Sequence, residues 1–186
     1  MRHLLTLCLL AAVGFAQSVT FQGKPVALKG DMPKVGSKAP EFVATRNDLS
    51  EVTIGGAQND VQIIAFVPSI DTPVCSLESK TFDDKVKSLQ GVKLYVVSKD
   101  LPFAQKRFCG FEEIGNITVA SAYKNKSDRG TEAYGVNIEE PFLQDLLTRA
   151  VFVVDKKGNI VYEELVGEIT NQPDYDKVLE AAKKAR

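Results

Sequence analysis

The chain has 186 residues, is 44% hydrophobic and 25% charged, and carries a formal net charge of −1. That length fits one domain able to bury about two thirds of its unfolded surface. No run of Lys or Arg exceeds two residues, which argues against nucleic acid as a partner.

In chain order, residues 1–16 read as a signal peptide. Arg2 and His3 form a short basic start, Leu4 to Val13 is apolar apart from Thr6, and Gly14 and Ala16 are the small residues before a cleavage point at Gln17. The apolar run is too short to span a bilayer, so the expected product is an exported protein, periplasmic or secreted, with no membrane insertion after cleavage. Residues 17–186 then form a single domain. Cleavage removes the only histidine and Cys8, leaving Cys75 and Cys109. Histidine-dependent hydrolases and histidine-ligated metals are thereby excluded, and two thiols cannot fill a structural zinc site. Thiol chemistry, a structural disulfide and two inert thiols all stay open, the disulfide favoured by an oxidising compartment.

Ser18–Phe21 and Pro25–Leu28, separated by Gln22-Gly23-Lys24, predict a hairpin. A Pro/Gly-rich segment, Gly30–Pro40, leads into the main body. Val61–Val67 has the composition of a strand buried on both faces. A helix is expected over Pro73–Gln90, with Val74, Leu77, Phe82, Val86 and Leu89 inward and Gly91 as its stop. Val92–Ser98 predicts a second strand, Phe103–Cys109 a short helix before Gly110, Ile117–Ser121 a strand, and Asp128–Tyr134 a helical turn or two. Ala150–Asp155 and Ile160–Leu165 flank the turn Lys156-Lys157-Gly158-Asn159, and Pro173 opens a last helix. This order predicts an α/β fold, a mixed sheet with helices on both faces and a site at the carboxyl ends of central strands.

Cys75 follows such an end. With Thr72 as N-cap and Pro73 at the first helical position, Cys75 falls at the third, facing unpaired backbone N–H groups and the positive end of the helix dipole. The Thr72 hydroxyl is in position to donate to the sulfur or to a bound oxygen, and Pro68 ends the strand and holds the loop over the site. A small filler residue at an ordinary Thr-Pro helix start is the competing local explanation.

Pro68-Ser69-Ile70-Asp71-Thr72-Pro73-Val74-Cys75 resembles the peroxiredoxin pattern P-x-x-x-T-x-x-C, and the longer VPSIDTPVC resembles the thiol peroxidase branch of that superfamily. Arg107-Phe108-Cys109-Gly110 is similar to the branch's second-cysteine motif, at the branch's separation from the first. Thr148–Asp155 resembles the segment with its active-site arginine, and Glu168–Tyr175 its C-terminal signature. Similarity runs from about Val19 to the end. Residues 120–130, ASAYKNKSDRG, depart from the Ser-Asp-Phe-type pattern of the family, which bears on substrate shape or subunit contacts rather than on the chemistry.

The resemblance implies a thioredoxin-like fold and a thiol-dependent peroxidase of the atypical two-cysteine type. Cys75 is then the thiolate that attacks peroxide, Arg149 stabilises thiolate and peroxide, Thr72 donates to the peroxide and Pro68 shields the pocket. Cys109 resolves the sulfenic acid as an intramolecular disulfide, which a thioredoxin-like reductant reopens. No cofactor or metal is implied, the substrates are hydrogen peroxide and organic hydroperoxides, and the assembly is a homodimer. Phe103, Phe108 and Phe142 are candidates for lining a pocket, against the alternative of core or interface. The rival reading is an exported non-enzymatic thioredoxin-fold binding protein with a structural disulfide. A dithiol oxidoreductase is disfavoured by the lack of C-x-x-C.

Overall fold

Among the described residues, the most apolar runs form the middle of a seven-stranded sheet. The structure, a computed structural model, describes residues 18–124 and 130–186. The expected signal peptide and parts of the 120–130 and 128–134 readings lie outside these residues. β1 (Ser18–Phe21) and β2 (Lys24–Lys29) make the predicted hairpin, and β2 also pairs with the two-residue β8 (Asn137–Ile138). The large sheet has the order β10-β9-β5-β6-β7-β3-β4, with β5 (Val61–Phe66), β6 (Val92–Ser98) and β7 (Thr118–Ser121) parallel. β9 (Ala150–Val154) lies antiparallel to β5, and β10 (Ile160–Leu165) to β9. β3 (Phe42–Arg46) and β4 (Glu51–Ile54), short strands at the far edge, were not predicted from the sequence.

The strand register divides the core in two. Ala65 faces Val96 and Val151 across the sheet, Val96 faces Val119, and all four belong to one buried cluster. Phe66, Val97, Ala120 and Ala150, one residue on, belong to the other. This is the period-two alternation of a strand buried on both faces.

The helices do not divide between the faces as expected. Phe82 and Val86 of α1 (Pro73–Val86), Phe108 of α2 (Pro102–Phe111) and Val178, Leu179 and Ala182 of α3 (Tyr175–Lys184) all pack into the same cluster. β5, β6 and β7 step across the sheet in one direction, so two right-handed crossovers put α1 and α2 on one face. The opposite face is covered by Met32, by Tyr134 of the 3₁₀ turn Thr131–Tyr134, and by Val136 and Leu147.

Element ends also shift. α1 stops at Val86, and Gly91, at φ 70°, serves the turn into β6. α2 continues through Gly110 to Phe111. α3 starts after Pro173, with the Asp174 carboxylate accepting from Lys177 N–H at 3.1 Å.

The inner face of α1 is the most consequential difference. Leu77 is 56% exposed, and the buried positions are Cys75, Glu78, Ser79, Phe82, Asp83 and Val86. These sit three and four residues apart, as one helical face requires, but half of them are polar. Phe82 packs edge-on against Tyr175 of α3, ring centroids 4.9 Å apart, and fixes the helix against its neighbour.

Candidate active site

Two chain segments meet at one end of the sheet. β5 runs out at Phe66, and the loop after it carries Pro68, which is buried, to the start of α1. Phe66 pairs with Ala150, so the residue before β9, Arg149, lies beside the same strand end. The loop is held by Asp100, which accepts from Ser69 Oγ and Ile70 N–H, each at 2.8 Å.

Cys75 and Arg149 are 0% and 1% exposed. Arg149 Nη2 donates to Cys75 Sγ at 3.3 Å, its Nε donates to the Ile169 carbonyl at 2.9 Å, and its Nη1 forms an ion pair with the Glu78 carboxylate. A solvated arginine at a strand entrance is thereby excluded. A buried guanidinium against a sulfur stabilises negative charge on that sulfur.

Thr72 is the N-cap, as read from the sequence, but its hydroxyl is engaged. It accepts from Cys75 N–H at 3.4 Å and donates to the Ser69 carbonyl at 3.0 Å rather than to the sulfur. A cavity of about 380 Å³ lies against this first turn, lined by Thr72, Pro73, Ser76, Arg107, Phe108 and Phe111. Phe108 thus meets the cavity and the core, whereas Phe103 and Phe142 are exposed. Phe142 instead stacks near Phe21 of the hairpin, centroids 6.2 Å apart.

Cys109 is not brought to Cys75. It is half-buried in the last turn of α2, lines a separate cavity of about 170 Å³ with Arg46, Asn47 and Ile114, and both thiols are free. Burial pushes the Cys109 thiol above its ordinary value; a hydrogen bond from Asn47 opposes this and the charge of Asp83 adds to it. Among the described residues, no cluster of His, Cys, Asp and Glu could hold a metal ion, and no helix is long and apolar enough to cross a membrane.

Comparison with known proteins bears on this geometry. The Redoxin family model matches residues 34–179. A thiol peroxidase of Aquifex aeolicus is 49% identical over 168 residues, covering 90% of this chain and 98% of that protein. The thiol peroxidase of Bacillus subtilis is 43% identical over 165 residues, covering 89% and 96%. The chain belongs to the Redoxin family, among its thiol peroxidases. The crystal structure of a peroxiredoxin-like protein from Aquifex aeolicus superposes with a TM-score of 0.86 at 47% identity, over 92% of this chain and 98% of that one. A thiol peroxidase from Chromobacterium violaceum shares the fold, with a TM-score of 0.80 at 20% identity, over 90% and 95%. The fold is thioredoxin-like, and by family the protein is a peroxiredoxin-type peroxidase.

Within this Redoxin-family site, Glu78 is the residue that the sequence reading missed. Its signal was present: it stands three positions after Cys75, on the face that α1 must bury. Glu78 Oε2 meets Arg149, while Oε1 is buried without a hydrogen-bond partner among the described residues. Burial raises the Glu78 carboxyl to about 7 against the pull of Arg149. Burial works to lower the Arg149 value, but the charges of Glu78 and Cys75 outweigh it, and the net direction is up. Gln172 was also missed as a site residue. Its Nε2 donates to the Val74 carbonyl at 2.9 Å, tying the C-terminal signature to the first turn of α1.

The raised Glu78 value sets a pH dependence. The folded protein keeps a proton on this carboxyl that the unfolded chain, at an ordinary 4.5, releases first. That contribution is complete below the unfolded value and is lost as pH rises through about 7. Denaturant unfolding of the reduced protein from about pH 5 to about pH 8 should show it losing stability relative to Glu78→Gln. Parallel pH profiles for the two proteins contradict the assignment.

Proposed function

We propose that the protein reduces hydrogen peroxide and organic hydroperoxides at Cys75. The observation that carries this reading is the 3.3 Å contact between Arg149 Nη2 and Cys75 Sγ in a site closed to bulk solvent. The Cys75 thiolate attacks one peroxide oxygen, the O–O bond breaks, and water or an alcohol leaves with a proton. The sulfur becomes a sulfenic acid. Arg149 stabilises the sulfur's charge first and then the charge on the departing oxygen, the kind of fixed donor that acts where charge develops. Thr72 turns its hydroxyl from the Ser69 carbonyl to the bound peroxide, and Pro68 keeps water from the loop side.

Cys109 then attacks the sulfenic sulfur, forming the Cys75–Cys109 disulfide and releasing water. A dithiol reductant of thioredoxin type returns both thiols by exchange and leaves with the disulfide. Because the cysteines sit on separate helices, Cys75 sealed and Cys109 lining a cavity without it, the first turn of α1, the end of α2 or both unwind for the bond to form. Unwinding at α1 gives up the long Thr72 cap bond, the Gln172 bond to the Val74 carbonyl and the Arg149 contact with the sulfur.

We also place the protein outside the cytoplasm, on the composition of residues 1–16. N-terminal sequencing of the protein from the exported fraction of its host should begin at Gln17. A cytoplasmic protein that keeps Met1 contradicts this.

A lysine ammonium cannot reproduce the three-directional donor set of Arg149. Arg149→Lys is expected to lower the second-order rate constant of the reduced protein with hydrogen peroxide by more than about tenfold, or ~1.4 kcal/mol of transition-state stabilisation. Stopped-flow measurement checks it, and an unchanged constant removes Arg149 from the reaction.

A further inference from the structure

The N-terminal hairpin lies outside the segment matched by the family model, yet it is hydrogen-bonded to the 167–169 segment, whose Ile169 carbonyl holds Arg149. Between them stands Glu168, whose carboxylate accepts from donors on both sides. On the hairpin these are Thr20 Oγ1 at 2.8 Å, Gln22 N–H at 3.0 Å and Gly23 N–H at 3.1 Å. On its own segment they are Thr170 N–H at 3.1 Å and the Thr170 hydroxyl at 2.7 Å. Gln22 and Gly23 both have positive φ, 51° and 76°, which turns two successive N–H groups toward one anion. The Thr170 hydroxyl first, and then the Gly23 N–H, hold the carboxyl down at about 2, so it is ionised at any physiological pH.

Backbone bonds complete the link. Thr20 N–H donates to the Gly167 carbonyl at 2.7 Å, and Ile169 N–H donates to the Thr20 carbonyl at 2.8 Å. The next carbonyl, that of Ile169, receives Arg149 Nε. Arg149's own carbonyl accepts from Val166 N–H at 3.0 Å, so the 166–170 segment grips the arginine at both its backbone and its guanidinium. The guanidinium is a rigid plane. Moving the acceptor at Nε therefore swings Nη2 relative to the sulfur.

We infer that Glu168 is a positioning residue for Arg149, through which the hairpin Ser18–Lys29 braces the guanidinium against Cys75. This rests on the reading of Arg149 given above. Glu168 reaches neither sulfur nor peroxide. All five of its donors are neutral, and it leaves the guanidinium to the Ile169 carbonyl and Glu78. The arrangement gives a function to a hairpin that the remainder of the sheet does not need for closure.

A double-mutant cycle tests it. In Glu168→Gln one acceptor oxygen becomes a donor facing donors, and the peroxide rate constant is expected to fall about tenfold. Thr20→Val removes one hydroxyl, with its contacts to Glu168 at 2.8 Å and the Gly167 carbonyl at 3.2 Å, and gives a smaller loss in the same direction. In an Arg149→Lys background neither change should lower the rate further, because the group being positioned is gone. Losses that multiply in that background, or a Glu168→Gln rate within about twofold of the parent, overturn the inference. If Glu168→Gln does not fold, Thr20→Val decides the cycle. Solvent exchange of the Arg149 Nε proton, followed by NMR, is independent of activity. It should accelerate in both variants, and unchanged exchange overturns the brace. A parent protein inert to peroxide whose Arg149 exchange still responds would instead refute the peroxidase reading and leave the brace standing.

Discussion

An arginine buried to 1% exposure must have its charge answered inside the protein, and at Arg149 a carboxylate, a carbonyl and a thiol do so. An ion pair at such depth is a weak source of stability, since removing two ions from water costs about as much as their attraction returns. Arg149 and Glu78 are therefore better explained by what they hold than by what they stabilise. Glu78 fixes one arm of the guanidinium, Ile169 fixes the Nε edge, and the remaining arm faces the Cys75 sulfur.

The architecture serves this arrangement. An antiparallel strand next to β5 brings Arg149 to the strand end where the thiol loop begins. One helical face then presents Cys75 and, a turn later, Glu78. Three segments far apart in sequence supply the contacts that a single loop could not keep rigid: the 68–75 loop, the entrance to β9 and the 166–172 segment. The two thiols differ in exposure. Cys75 is sealed within the first turn of α1, while Cys109 is half-buried and lines a cavity of its own.

Much of this was legible in the sequence. β6 was bounded correctly, and the central strands announced themselves through apolar runs that only two-sided burial explains. The helix start at Thr72-Pro73 fixed Cys75 at the third helical position, which the structure keeps. Other features were hidden for physical reasons. β3 and β4 are short strands at one side of the sheet, and in β3 the exposed position is Val43 while Thr45 is buried, so the apolar alternation that marks a strand is broken. The inner face of α1 was misassigned because Leu77 was taken for a core residue, whereas the face that turns inward holds Glu78 and Asp83. Hydrophobic spacing cannot find a buried face that is polar. Asp83 is there to accept three backbone N–H groups, from Gly115, Asn116 and Ile117, and so ties α1 to the segment after α2. The one-sided placement of the helices follows from strand order, which single-strand patterns do not specify.

The central claim is that the sealed thiol beside Arg149 is the one that meets peroxide, and that Cys109 completes its chemistry. The most direct measurement is mass spectrometry of the fully reduced protein after one molar equivalent of hydrogen peroxide, followed by proteolytic mapping without reductant. The account predicts that the intact mass falls by two hydrogens and that the peptides bearing Cys75 and Cys109 are recovered joined. An unchanged mass with both thiols still free, or oxygen added elsewhere while Cys75 stays reduced, would contradict it.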